Sequence, residues 1–191
     1  SPAVFDRVKL GWMNGQHLKE MGEQADAMIA SKAVELGLVK DADSAFTKSA
    51  VAMCSGSLEL VADIEEPLRA LMAYPLEETL ASDGAKGFVE DNIKEVVDAV
   101  VAAYDSGELQ AAIAEDGGFK KWIKALGKAQ ARKGKRLFMP VRIALTGRMQ
   151  GPDVGEQLSM LALEDNSLGD GVEYVPLADR IEALRKWSAA Q

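Results

Sequence analysis

The chain is 191 residues long, 48% apolar, and carries a net charge of −8. That length can bury one hydrophobic core or two small ones, and no apolar run reaches the roughly 18–20 residues that a membrane-spanning helix needs. With His17 and Cys54 as the only histidine and cysteine, an intrachain disulfide, a two-histidine zinc helix and a histidine-rich metal site are all excluded. The opening Ser1-Pro2-Ala3-Val4-Phe5-Asp6 has no basic region followed by an apolar stretch, so no secretory signal is expected there. The early start of the first helix reads as a fragment or a processed chain.

In chain order the spacing of apolar residues is helical almost everywhere. Asp6 is placed to cap a helix through Val8, Leu10, Trp12 and Met13, with Asn14-Gly15 as a weak point or stop. His17 reads as a residue on a helix surface. A second helix is expected over Glu23 to Leu36, ended by Gly37, and a third from Asp43 or Ser44 through Met53. Cys54 then follows in an apolar segment as a small core residue. Ser57 to Met72 reads as a fourth helix that Pro67 bends or breaks. Tyr74-Pro75 is a break before a short helix, Leu76 to Ala81. The longest candidate is Phe88 to Tyr104; its valines favour strand, but its length and 3–4 spacing favour helix. Glu108 to Ala114, Phe119 to Lys133, a short helix opening at Met139-Pro140, Asp153 to Ala162, and Asp179 to Ala189 complete the pattern. The fold class expected is all-α: two packed helical subdomains with no sheet of more than two short strands.

Charge is distributed unevenly. Between Gly117 and Pro152 stand ten basic residues and no acidic one, leaving twelve basic and 30 acidic residues elsewhere. A basic island in an acidic body suits a phosphate-facing surface, although such runs also serve as solvated helix faces. Within it, Val141, Ala144 and Leu145 share one face of a helix, so Arg142 is expected to point away from them. A guanidinium in that position offers a flat surface and a fork of donors; pairing with a carboxylate is the alternative.

Two stretches resemble glutamyl-tRNA synthetases, enzymes of class I. The first is Lys9-Leu10-Gly11-Trp12-Met13-Asn14-Gly15-Gln16, preceded by Val4-Phe5-Asp6, which in that family leads from the catalytic body into the anticodon-binding part. The second is Leu137-Phe138-Met139-Pro140-Val141-Arg142-Ile143-Ala144-Leu145-Thr146-Gly147, followed by Gly151-Pro152-Asp153-Val154. A third set resembles plastid-type, plant or algal synthetases: Tyr74-Pro75-Leu76, Thr79-Leu80-Ala81-Ser82, Ala103 to Leu109, Trp122, and the Arg132-Lys133-Gly134-Lys135 turn. The stretch from Asp41 to Glu65 is the loosest.

The resemblance implies an all-helical anticodon-binding region of a glutamate–tRNA ligase, with residues 1–116 as a first helical subdomain and 117–191 as a basic second one. It implies that Arg142, Gly151, Pro152, Asp153 and Val154 meet the anticodon of tRNA(Glu). Lys120, Lys121, Lys124, Lys128, Arg132 and Lys135 would then hold phosphates, supplying affinity without sequence information. Its partners would be tRNA(Glu), the catalytic part of the same synthetase and possible larger assemblies, in a chloroplast or mitochondrion and without insertion into a membrane. No cofactor is expected in this chain, whereas the parent enzyme would use ATP and Mg.

Catalysis is not expected of these residues. One histidine cannot supply the two-histidine ATP signature of class I synthetases. Phe46-Thr47-Lys48-Ser49 echoes the lysine-serine loop but lies in a helical pattern with no strand before it. There is no P-loop or Rossmann glycine pattern, and no carboxylate pair is spaced for acid–base chemistry. A second reading stays open: a synthetase-derived, non-catalytic subunit that helps assemble a larger complex.

Overall fold

The helical spacing of the sequence is realised as twelve α-helices and one short 3-10 helix among the described residues, 6–191 of a computed structural model. The expectations for residues 1–5, including the Val4-Phe5 part of the first motif and the reading of the N-terminus, lie outside the described residues. The fold is all-α, and the one β-type pairing among the described residues is an isolated antiparallel bridge, Val39 with Leu168. No helix among them is long and apolar enough to cross a membrane. The chain divides into two compact units: residues 6–72 with Leu163–Glu173, and Ala73–Ala162 with Tyr174–Gln191.

In the first unit, the Asp6 carboxylate caps α1 (Arg7–Met21) by accepting from the Val8 and Lys9 amides. α1 runs on through Asn14-Gly15 instead of stopping there. Gly15 is buried against the Leu58 carbonyl oxygen, where a Cβ would come within 3.2 Å. α2 (Glu23–Glu35) and α3 (Ala45–Ser55, capped by Ser44) pack on one another. The expected fourth helix is two pieces, a 3-10 turn over Val61–Ile64 and α4 (Glu65–Met72). Pro67 does not break α4, because it sits in the first turn, where no N–H is needed. Ile29, Leu38, Phe46, Ala50, Ile64, Leu68 and Met72 form the core. Cys54 belongs to it, and burial pushes its thiol up to about 12, which keeps it neutral and unreactive. Lys48-Ser49 lies within α3, with no strand before it among the described residues.

The second unit holds α5 (Leu76–Ala81), α6 (Lys86–Glu90), α7 (Ile93–Asp105), α8 (Glu108–Ala114), α9 (Gly118–Ala129), α10 (Lys135–Thr146), α11 (Val154–Leu161) and α12 (Leu177–Ala189). The valine-rich stretch is helical, but it is broken at Asn92, which adopts a left-handed conformation at φ 59. Ile93, Val96, Val97 and Val100 of α7 are all buried, each contributing about 1.5–3 kcal/mol on leaving water. α12 and α10 pack on that stripe. Arg185 clasps Asp105 through two bonds of 2.9 Å, and Lys94 of α7 reaches Ser188 of α12 at 2.8 Å.

The boundary expected between residues 116 and 117 falls in the loop between α8 and α9. The charge changes sign there, yet α8 and α9 pack on each other within the second unit. α9 ends at Ala129, short of the expected Lys133. The Arg132 amide turns back onto the Gly127 carbonyl at 2.9 Å, and Ala131 takes φ 51.

Candidate nucleic-acid interface

α10 begins at Lys135, four residues before the expected opening at Met139-Pro140. Pro140 therefore lies inside the helix and cannot supply an N–H to the Arg136 carbonyl. The Arg132 guanidinium approaches that same oxygen at 3.4 Å. Arg132 is buried, its side chain only 4% exposed, and it also bonds the Asp91 carboxylate at 3.0 Å and the Asp91 carbonyl at 2.6 Å. This corrects its expected place on the phosphate surface: the guanidinium is committed inside the fold, holding the α9–α10 turn to the α6–α7 link. Arg136 joins it through a two-point pair with Asp91, and the hydrogen bond from Arg136 holds the Asp91 carboxyl below its ordinary value.

Three of the last four carbonyls of α10, and that of Gly147 after it, are held by partners that satisfy an otherwise open helix end. Ile143 O accepts from the Gly147 amide at 2.8 Å, and Ala144 O from the Tyr74 hydroxyl at 2.5 Å. Leu145 O accepts from Arg180 Nη1 at 3.0 Å, and Gly147 O from the Thr79 hydroxyl at 2.5 Å. The Thr146 hydroxyl donates back to Arg142 O at 2.7 Å. Arg180 is 1% exposed and lies 5.2 Å from the centre of the Tyr74 ring; burial lowers its pKa to about 10, and a cation at a helix C-terminus is well placed electrostatically. Tyr74 and Thr79 entered the sequence reading only as a helix break and as parts of resembling stretches, and Arg180 did not enter it. The available signal was Arg180 lying four residues before Leu184, on the buried face of α12.

Arg142 does leave the apolar face formed by Val141, Ala144 and Leu145, all of them buried. Its guanidinium is not wholly free, as the sequence had suggested. Nη1 donates to the carbonyls of Gly151 at 3.1 Å and Pro152 at 2.9 Å, and Gln157 Nε2 also donates to Pro152 O at 3.0 Å. Arg142 therefore shapes the Gly151-Pro152 turn and is itself half-buried. Asp153 is the N-cap of α11: its carboxylate accepts from the Glu156 amide at 3.0 Å. Val154, expected at the anticodon, is 8% exposed.

The turn and the basic helix are brought together. Gly155 lies against the Phe119 ring at the start of α9, so closely that a Cβ would stand 2.9 Å from it. Along the outer side of α9, Lys120, Lys124 and Lys128 are exposed and take part in no ion pair among the described residues, while Trp122, Ile123 and Leu126 face inward. Lys121 pairs with Glu115 at 2.7 Å, which raises the lysine pKa and lowers that of the glutamate. Lys135 is exposed and lies 5.8 Å from the centre of the Phe88 ring.

The family described as "Anticodon binding domain" matches residues 16–165. The chain is 30% identical over 168 residues to a glutamate–tRNA ligase of Sulfurihydrogenibium sp.. It is 30% identical over 173 residues to that of Natranaerobius thermophilus, and 29% over 171 residues to that of Bacillus anthracis. These alignments take in 86% of this chain and 33–34% of each relative, so the chain spans about a third of the length of the curated relatives it matches. On the strength of a match over most of its length, the chain belongs to the anticodon binding domain family.

Proposed function

We propose that this chain is the part of a glutamate–tRNA ligase that holds the anticodon loop of tRNA(Glu) while a catalytic part of the same enzyme, using ATP and Mg, carries out the charging. The observation that carries the reading is the Gly155–Phe119 contact, which ties the Arg142–Gly151–Pro152 turn to the lysine side of α9. A turn for bases next to a lysine stripe for phosphates is the division of labour that RNA recognition needs.

In this reading Arg142 and the Gly151-Pro152 backbone meet bases, while Lys120, Lys124, Lys128 and Lys135 meet phosphates. Asp153 and Val154 act from behind, as cap and packing for the turn. A plastid or mitochondrial origin is part of the reading and rests on the Tyr74-Pro75-Leu76, 79–82, 103–109, Trp122 and 132–135 stretches, since the relatives compared above are bacterial.

Salt dependence tests the phosphate half. Lys124→Ala or Lys128→Ala should weaken all tRNAs alike and flatten the log–log salt slope by about one unit per lost contact. An unchanged slope in both variants would remove α9 from the interface. The exposed Val8 and Trp12 of α1, 83% and 62% exposed, favour a second reading as an assembly subunit; absence of any tRNA binding by the chain, alone and in its parent, would decide for it.

A further inference from the structure

α10 carries an exposed aromatic ring that the anticodon assignment leaves without a task. Phe138 is 54% exposed, in a helix where Leu137, Val141, Ile143 and Leu145 are no more than 4% exposed and Met139 is half-buried. An aromatic left half in water on so well packed a helix gains nothing for the fold. Its position is specific. At 3.6 residues per turn, Lys135, Phe138 and Arg142 fall within an arc of about 60° on the outer side of α10. Phe138 stands one turn before Arg142, the spacing at which two helix side chains are neighbours. The residues that share this side of α10 with the ring, Lys135 and Arg142, are both basic.

We propose that Phe138 is a stacking platform for one unpaired nucleobase of the RNA loop that Arg142 and the Gly151-Pro152 turn engage. The inference rests on the reading of the site given above and adds to it a residue and a mode of contact. A flat apolar ring with a lysine on the same side of the helix suits an unstacked base joined to a phosphate: the base covers the ring, and Lys135 takes the backbone charge. Double-stranded RNA offers no free base face, so the ring discriminates loop from helix. Stacking tolerates any base, so Phe138 supplies affinity for a single-stranded loop, while the choice among bases stays with Arg142 and the turn.

The test uses the full chain and two synthetic RNAs: a stem-loop carrying the glutamate anticodon, and a fully paired duplex of the same length. Phe138→Ala and Phe138→Leu should each weaken stem-loop binding by about 5- to 100-fold, Phe138→Trp should keep it, and all three should bind the duplex as the unaltered chain does. Leucine is the informative variant, since it keeps apolar bulk and removes only the aromatic face. Stem-loop binding by Phe138→Leu equal to that of the unaltered chain would overturn the proposal, as would an equal loss on the duplex. If Arg142→Ala weakens stem-loop binding while Phe138→Ala does not, this inference fails and the reading of the site stands. If the unaltered chain and its parent enzyme bind no stem-loop, both fail.

Discussion

Arg180 Nη1 donates to the Leu145 carbonyl at 3.0 Å, placing a buried cation on the last turn of the helix that carries Arg142. The same guanidinium bonds Val175 O through Nε at 2.7 Å, so one side chain ties α12 and the segment before it to the end of α10. Arg180→Met keeps much of the volume and strands both carbonyls, which should cost about 2–4 kcal/mol of stability. Tyr74→Phe removes the single bond to Ala144 O and should cost about 1–2 kcal/mol. Thermal or denaturant melting checks both, and a smaller loss for Arg180→Met than for Tyr74→Phe would contradict this account of the clamp.

Gly147 closes α10 with φ 67, and a Cβ there would stand 2.9 Å from the Tyr74 ring and 3.1 Å from the Pro75 nitrogen. Both the left-handed backbone and the crowding require glycine. Gly147→Ala should destabilise the fold by about 1–3 kcal/mol or more. Chemical denaturation measures it; a variant as stable as the unaltered chain would show that the Tyr74–Pro75 segment yields freely.

Stability should fall in acid. The hydrogen bond from Arg136 lowers the pKa of Asp91, that from Lys94 lowers Asp98, and that from Arg185 lowers Asp105, each from an ordinary value of 3.8. The unfolded chain takes up these protons first as pH drops. The stabilisation is therefore present above about the ordinary carboxylate value and is lost as pH falls through the depressed folded values. Melting temperatures measured between neutral and acid pH should show this decline, and Asp91→Asn should flatten it. An undiminished slope in that variant would mean that the pair with Arg136 is not held in solution.

The helices themselves were largely legible, because 3–4 spacing and caps such as Asp6, Ser44 and Asp153 are local signals. What sequence could not show depends on contacts between distant residues. Asn92 breaks a helix that the valine stripe would have continued, and Arg132 leaves the basic surface because Asp91, 41 residues away, takes its charge. Pro140 looked like a helix start because proline fits a first turn; inside α10 the approach of Arg132 to the Arg136 carbonyl partly replaces its missing N–H. Arg142 was placed on the correct side of α10, but its bonds to Gly151 O and Pro152 O need the return of the chain nine and ten residues later. The lysine side of α9 was readable from amphipathicity alone, since Lys120, Lys124 and Lys128 alternate with the buried Trp122, Ile123 and Leu126.

Arg142 is where the account can be tested most directly, because its two tasks separate. An ammonium can bond the Gly151 and Pro152 carbonyls in place of Nη1, but it has no flat face and no fork to offer a base. The measurement is the affinity of the parent enzyme for transcripts of tRNA(Glu) with native and substituted anticodons, made with Arg142, Arg142→Lys and Arg142→Ala. The account predicts that Arg142→Ala costs about 1–3 kcal/mol on the native anticodon and little on substituted ones, and that Arg142→Lys restores stability without restoring the preference. Native and substituted tRNAs bound by Arg142→Ala just as by the unaltered enzyme would contradict the anticodon assignment.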